Sequence, residues 1–284
     1  MNVKAPWRRL GARLRDVLYV AASAGDRWSR GAGDGLLPPW HLRKYYYGTG
    51  DPSAFARAAA AARTELISRG LRPDHRVLDI GCGVGNLAVG LADYLTGPYD
   101  GFDIHRQAVN WCQQAITPRH PNFRFHHADL SSIAYNADGR VDASTFRFAM
   151  PSGTYDVVFL GSVFTHLLPD TAAQYINEIG RLLAPGGLCI ASYFLLNTQS
   201  RAGIAAGSSF MAFPVQHQSG LCLLHDASKP EAAVALDEAF VVAAYQRAGL
   251  QPRDIRRGGW WSGQRHDQDV ITAERVGTAT AAGR

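Results

Sequence analysis

The chain has 284 residues, of which 46% are hydrophobic, so its length suits one well-packed α/β domain with appendages. This composition excludes a disordered or collagen-like chain. The formal net charge of +5 comes from arginines that are spread along the sequence, so we expect no nucleic-acid partner.

The cysteines form no C-x-x-C pair, and their spacing matches no zinc framework. They are Cys82, Cys112, Cys189 and Cys222. A reduced, cytoplasmic compartment is therefore the simplest interpretation. No apolar run reaches the roughly 20 residues that a membrane-spanning helix needs.

The first 40 residues or so are interpreted as a helical appendage. Trp7, Leu10, Leu14 and Val17 recur at steps of three and four residues, which predicts one apolar face of a helix, and arginines occupy the remaining faces. The favoured interpretation is that this helix packs on its own domain or on a second copy in a homodimer. The alternative is a peripheral membrane contact, because basic helices with tryptophan bind anionic lipid.

Strand and helix patterns alternate from Arg76 onward, which predicts a parallel sheet with right-handed crossovers. Predicted strands lie at Arg76–Ile80, Tyr99–Asp103, Phe123–His127, Tyr155–Leu160 and Leu188–Leu195. Predicted helices lie at Asn86–Leu95, Arg106–Ile116 and Asp170–Leu183. Ligands of such sheets bind beyond the carboxyl ends of the strands.

The pattern weakens after residue 196. Residues 197–234 are rich in serine, alanine, glycine and histidine and are interpreted as a lid insertion. A helix at Ala235–Arg247 and two closing strands at Gln251–Arg257 and Asp269–Arg275 are predicted after it.

The segment Val77–Asn86 (VLDIGCGVGN) is the strongest signal in the sequence. An apolar strand runs into a turn with glycines at 81, 83 and 85, and a helix follows. Glycine allows positive φ and close approach to a ligand, and the helix N-terminus offers free N–H groups. The third glycine falls one place too early for the NAD-type G-x-G-x-x-G fingerprint.

This segment resembles the first motif of the class I S-adenosylmethionine-dependent methyltransferases, (V/L)-L-D-x-G-x-G-x-G. The resemblance covers residues 65–196 and includes Tyr155–Phe159 and Ile179–Gly187. It implies a Rossmann-like α/β fold, with a seven-stranded, mostly parallel sheet and helices on both faces, over residues 65–284. Residues 1–64 would then form the helical appendage and a segment that covers the cofactor.

The resemblance implies S-adenosylmethionine as the cofactor. In the family, the glycine loop wraps the methionine portion, and Asp79 would lie beneath this loop and order the cofactor's amino group. Tyr47 belongs to an entry segment similar to one that closes over the cofactor in some relatives. The loop residues expected at the cofactor are Gly81, Cys82, Gly83, Gly85 and Asn86.

Two later carboxylates are expected at the nucleoside. Asp103 would accept hydrogen bonds from the ribose hydroxyls, although capping of the following helix is the alternative. By the resemblance, Asp129 would bind the adenine amino group and Leu130 would pack on the ring, although Asp129 could simply be a polar turn residue. The other expected cofactor contacts are Ile104, Gly161 and Ser162.

Methyl transfer to a hydroxyl requires alignment and removal of the acceptor proton. His166, in the loop after the fourth predicted strand, is the first candidate base, and packing or helix capping is its alternative. His127 is a weaker candidate, and His217 and His225 could reach an acceptor from the lid. The run His266–Asp269 could bind a divalent metal or an acceptor, although a solvated turn is favoured.

The acceptor is indicated only by finer resemblance. Gly161–Pro169, Ser192–Asn197 and Gln268–Ile271 resemble bacterial sugar O-methyltransferases, such as those of mycobacterial methylmannose polysaccharide. This implies a hydroxyl of a saccharide or glycolipid, with Mg²⁺ as an optional assistant. The alternatives are a natural product, fatty acid or other small molecule, and, from another class, a dinucleotide-dependent oxidoreductase. The pair Trp260–Trp261 suits a sugar ring or anionic lipid, or else a buried corner.

Overall fold

The structure is a computed structural model, and it describes residues 36–132, 135–136, 138–263 and 267–277. The predicted N-terminal helix and His266 lie outside the described residues. The described strands, in chain order, are β1 (Val77–Ile80), β2 (Tyr99–Asp103), β3 (Phe123–His127), β4 (Tyr155–Leu160), β5 (Leu183–Tyr193), β6 (Leu195–Leu196), β7 (Val215–His217), β8 (Cys222–Leu224), β9 (Val234–Asp237), β10 (Leu250–Arg256) and β11 (Asp269–Arg275).

The helices of the described part flank this framework, and none of them has the length and apolar character that crossing a membrane requires. They are α1 (Trp40–Tyr47), α2 (Pro52–Ser68), α3 (Asn86–Leu91), α4 (Arg106–Ala115), α5 (Pro169–Leu182), α6 (Thr198–Ala205) and α7 (Glu238–Arg247). The predicted bounds of α3 were too long, since it ends at Leu91 and not at residue 95.

A seven-stranded sheet organises the fold, in the order β10-β11-β5-β4-β1-β2-β3. Strands β3, β2, β1, β4 and β5 pair in parallel, and β11 runs antiparallel to both β5 and β10. The predicted seven-stranded, mostly parallel Rossmann-like sheet, preceded by a helical part, is therefore confirmed.

Alternating side chains of the central strands supply the core on both faces of the sheet. Val77 and Val157 belong to the hydrophobic cluster that packs with α3 and α4, whereas Leu78 and Val158 belong to the cluster that packs with α5. All four side chains are fully buried. Burial on both faces makes β1 the stable support of the glycine turn that follows it.

The segment expected to be a lid has secondary structure of its own. Strands β6, β9, β8 and β7 form a second, four-stranded sheet. The helix predicted from Ala235 begins only at Glu238, because residues 234–237 pair with β6 and β8 and Asp237 then caps α7 by accepting from the Phe240 N–H. The apolar residues 234–236 thus form part of β9 and not the first turn of a helix.

The corner beside β11 is built on one buried carboxylate. Asp269 accepts from the Trp260 indole at 2.7 Å, from the Leu195 amide at 2.9 Å and from the Gly258 amide at 2.9 Å. Trp260 is fully buried among Phe194 and Phe213. Asp269 and Trp260 therefore hold the second sheet to the first, and both side chains are buried.

Candidate active site at the carboxyl ends of the strands

A cavity of about 800 Å³ lies where β1, β2 and β4 end. Its volume is in the usual range for small-molecule sites. Most of the residues predicted for the cofactor line it: Tyr47, Asp79, Gly81, Gly83, Asn86, Asp103, Ile104, Leu130, Gly161 and Ser162. The structure therefore brings these predicted residues together around one cavity, and their contact with the cofactor stays a prediction.

The glycine turn has the backbone that its sequence predicts. Gly81, Gly83 and Gly85 have φ values of 78°, 52° and 72°, which favour glycine over any residue with a side chain. A Cβ on Gly83 would lie 2.8 Å from the Tyr46 ring. Cys82 and Gly85, which were also expected at the cofactor, support the turn from behind and are not among the described residues that line the cavity.

Asp79 is almost completely buried at the end of β1 and lines the floor of the cavity. The Tyr99 hydroxyl donates to it at 2.5 Å. Burial raises the pKa of this carboxyl to about 7, and the Tyr99 hydrogen bond only partly opposes that shift. A cation brought into the cavity would favour the ionised form.

Asp103 joins the glycine turn to the end of β2. Its Oδ2 accepts from the Gly83 amide at 2.7 Å, and its Oδ1 accepts from the His105 amide at 2.7 Å. Burial raises the pKa of Asp103, and these backbone hydrogen bonds oppose the rise. The carboxylate holds the backbone ahead of α4 and also lines the cavity, so its two predicted roles are compatible.

The segment after β3 departs most from expectation. Leu130 is buried and lines the cavity, together with Ser131 and Ser132, which the sequence did not single out. Asp129 is outside the lining formed by the described residues, and its carboxylate accepts from Arg140 at 2.7 Å. The predicted contact of Asp129 with adenine stays a prediction.

Helix α1 covers one side of the cavity with three tyrosines. Tyr45 stacks on His105 with ring centroids 4.8 Å apart, Tyr46 lies over Gly83, and Tyr47 lines the cavity beside them. The Y-Y-Y run was the signal for this cover, although only Tyr47 was predicted to contact the cofactor. The buried Arg43 donates to the Gly50 carbonyl at 2.8 Å and so holds the end of α1 in place.

The loop after β4 is held in an unusual conformation. Ser162 has a φ of 59°, which is uncommon without glycine. Its amide donates to Ser192 Oγ at 2.7 Å, and its hydroxyl donates to Gln268 Oε1 at 3.1 Å. Ser192 donates to the same Gln268 oxygen at 2.6 Å. These contacts fix the loop that carries His166.

His166 lines the cavity at the end of this loop. Its Nδ1 lies 3.0 Å from the Glu231 carbonyl, and the Tyr135 hydroxyl lies 2.9 Å from Nδ1 and 3.2 Å from Nε2. Because a carbonyl only accepts, the Glu231 contact favours a proton on Nδ1 and leaves Nε2 as the acceptor. Burial lowers the pKa of His166, so the ring is neutral at pH 7.

The other candidate histidines lie elsewhere. His127 approaches the Ile104 carbonyl at 3.2 Å, and His225 approaches the Ala212 carbonyl at 2.8 Å. Neither these two nor His217 is among the described residues that line the cavity. The structure therefore brings one of the two predicted catalytic residues, His166, to the site.

No metal centre is evident in the described part of the chain, because no group of three or more histidine, cysteine, aspartate or glutamate side chains there could hold an ion. Asp267 accepts from the Gly259 amide at 3.0 Å, and Asp269 is buried in the corner described above. The described part of the run 266–269 is thus occupied with structural contacts.

Comparison with known proteins agrees with this geometry. A family described as "Methyltransferase domain" matches residues 77–187. An uncharacterized methyltransferase of Schizosaccharomyces pombe is 26% identical over 147 residues, which are 50% of this chain and 49% of that protein. The human citrate synthase-lysine N-methyltransferase is 33% identical over 128 residues, 40% of this chain and 49% of that protein. The chain thus spans about half the length of these relatives.

Solved structures share the fold at low identity. Magnesium protoporphyrin IX methyltransferase of Synechocystis, solved with bound S-adenosylhomocysteine, has a TM-score of 0.52 and 19% identity, covering 92% of this chain and 99% of that one. A Burkholderia thailandensis 1,6-didemethyltoxoflavin-N1-methyltransferase has a TM-score of 0.52 and 19% identity, covering 96% and 93%. Residues 77–187 therefore resemble a methyltransferase domain, and the described part of the chain shares its fold with these solved methyltransferases.

Proposed function

We propose that this chain transfers the methyl group of S-adenosylmethionine to a hydroxyl of a saccharide or glycolipid, with His166 as the general base. The observation that carries the proposal is the placement of His166 in the cavity, with Nδ1 against the Glu231 carbonyl and Nε2 left to accept a proton.

The residues at the glycine turn fit the cofactor. Gly81 and Gly83 line the cavity with backbone alone, at φ values that favour glycine, and Asp79 offers a carboxylate for an ammonium group. Asp103 would accept from the ribose hydroxyls, and Leu130 would pack against the adenine. When bound there, S-adenosylmethionine supplies an electrophilic methyl group and departs as S-adenosylhomocysteine.

His166 would handle the proton of the acceptor. A hydroxyl is hardly ionised at neutral pH, so its oxygen becomes nucleophilic only as its proton leaves. The hydroxyl oxygen would form the new bond to the methyl carbon, the carbon–sulfur bond would break with its electron pair going to sulfur, and the hydroxyl proton would pass to Nε2. The Tyr135 hydroxyl lies 3.2 Å from that nitrogen in this structure, and the acceptor hydroxyl would take its place.

The mouth of the cavity favours a ring-shaped acceptor. Tyr45 and Tyr135 both line the cavity while remaining 50% and 37% exposed. Exposed aromatic faces bind the apolar faces of sugar rings as well as other rings. A saccharide hydroxyl therefore suits the proposed base and the mouth together, and aromatic natural products remain the alternative acceptors.

Labelled methyl transfer tests the proposal. The full chain is incubated with methyl-labelled S-adenosylmethionine and a panel of sugars, glycolipids and small hydroxylated or amine acceptors. Label in sugar ethers that His166→Ala abolishes, and His225→Ala leaves unchanged, would support the proposal. Label found only in non-sugar products would replace the saccharide with a small molecule. In a thermal-shift assay, stabilisation by NAD but not by S-adenosylhomocysteine would indicate the oxidoreductase instead.

A further inference from the structure

A short turn places a lysine at the same rim of the cavity as the proposed base. The turn Pro230–Ala232 begins directly after Lys229, and the carbonyl of Glu231 within it contacts the His166 ring at 3.0 Å. Lys229, Glu231 and His166 all line the cavity. The proposed base, His166, therefore lies beside the turn that follows the positively charged Lys229.

The ammonium group of Lys229 has no side-chain partner in the described part of the chain. The chain has three lysines against 26 arginines. Lys44, the other described lysine, donates to the Gly48 carbonyl at 2.6 Å. Asp226, close by in sequence, accepts two hydrogen bonds from Ser228 at 2.7 and 2.8 Å. These hydrogen bonds and, to a lesser degree, the charge of Lys229 lower the pKa of Asp226, although the Lys229 and Asp226 side chains form no ion pair.

The carboxylates of the described cavity residues have other hydrogen-bond partners than Lys229. Asp79 and Asp103 lie at the glycine turn, where they accept from Tyr99 and from backbone amides. Glu231 accepts from the Ser132 hydroxyl at 2.6 Å. S-adenosylmethionine would add a sulfonium cation to the same cavity. A neutral acceptor would leave the Lys229 charge unused, whereas an anionic acceptor would form an ion pair with it.

We infer that the acceptor carries an anionic group, a carboxylate or a phosphate, which Lys229 binds while the hydroxyl to be methylated faces His166. The inference rests on the proposed function, because it names the class of molecule that enters the same cavity. It narrows the saccharide acceptors to uronic acids, sugar phosphates and glycolipids with an anionic head.

The scarcity of lysine allows a direct binding test. Reductive methylation with carbon-13 formaldehyde labels the three lysines and the N-terminus while keeping the charge, and Lys229→Arg assigns the Lys229 signal by its loss. The S-adenosylhomocysteine complex of the full chain is then titrated with glucuronate, glucose 6-phosphate and neutral glucose at constant ionic strength. The Lys44 signal serves as the internal control.

We expect the Lys229 signal to shift and saturate with at least one of the two anionic sugars and not with glucose, while Lys44 stays still. The glucuronate and glucose 6-phosphate arms distinguish a carboxylate from a phosphate ligand. In labelled transfer, Lys229→Gln should lower kcat/KM for the anionic acceptor by tenfold or more, mainly through KM. An unchanged Lys229 signal with both anions, or an equal shift with glucose, would overturn the inference.

The same experiment separates this inference from the proposed function. The lysine signals report binding without any methyl transfer. A selective Lys229 shift with no labelled product from any hydroxyl would contradict the proposed reaction and leave the anion site standing. Sugar methylation with no change in the Lys229 signal would support the proposed reaction and contradict the anion site.

Discussion

Replacing Asp79 by asparagine should remove a defined pH dependence from the stability of the cofactor-free protein. Burial raises the pKa of Asp79 from 3.8 to about 7 in the folded chain. A folded-state pKa above the unfolded value stabilises the protein fully only below pH 3.8, and that stability is lost as the pH rises through 7. An asparagine side chain has no proton to lose in this range, so Asp79→Asn removes this pH dependence.

The size of the effect follows from the two pKa values. Between pH 5.5 and about 7, the unfolded carboxyl is ionised and the folded one is protonated, so the folded state loses about 1.4 kcal/mol per pH unit relative to the unfolded state. Above pH 7 both forms are ionised and the loss levels off. The free energy of unfolding of Asp79→Asn, relative to the unmodified chain, should therefore rise by about 2 kcal/mol from pH 5.5 to pH 8.

Urea unfolding of both proteins at the two pH values measures this difference. Any loss of packing energy caused by the substitution is the same at both pH values, so it cancels when the two differences are subtracted. Asp142→Asn is the matched control. The Asp142 carboxylate is solvent-exposed, and hydrogen bonds from Ser144 lower its pKa, so it stays ionised in both states over this range. A difference for Asp79→Asn that is the same at pH 5.5 and pH 8 would refute the burial argument.

Three further variants test the site. His166→Ala should lower kcat by about 100-fold with unchanged S-adenosylhomocysteine affinity. The wild-type rate should fall with acid only below pH 6.5, because burial lowers the pKa of His166. An unchanged rate in His166→Ala would mean that this side chain only packs in the cavity wall. Asp103→Ala should weaken S-adenosylhomocysteine binding in calorimetry by at least tenfold, and equal affinity would reject the ribose contact. Gly83→Ala should lower stability by about 1–2 kcal/mol, since its φ is 52° and its Cβ would meet Tyr46; a neutral effect in urea unfolding would contradict the strained turn.

The parts of the fold that were predicted well depend on local sequence. Strand β1, its glycine turn and α3 follow one another within Val77–Leu91, so the pattern of apolar residues and glycines specifies them without information from elsewhere. The same holds for Asp103 at the end of β2. Parallel pairing of β1 with β2 then brings the carboxylates of Asp79 and Asp103 to one edge of the sheet.

The failures arise where a distant partner decides the outcome. Residues 235–237 have an apolar pattern that suits a helical turn, yet β6 and β8 recruit them into a sheet. Asp129 follows β3 as expected, and its carboxylate pairs with Arg140, a partner that the residue pattern did not indicate; its contact with adenine stays a prediction. Local propensity is a weak guide wherever tertiary pairing competes with it.

The two ends of the cavity differ for the same reason. The glycine-turn end is built from consecutive residues and could be described from the sequence. The other end assembles Tyr135, His166, Lys229 and Glu231 from segments up to 96 residues apart, and neither Tyr135 nor Glu231 belongs to a recognisable motif. In the proposed reaction, substrate specificity would depend on that second end, because the proposed base His166 and the Lys229 ammonium both lie beside one turn. A shared methyltransferase fold therefore predicts the cofactor, whereas the acceptor must be inferred from these nonlocal contacts.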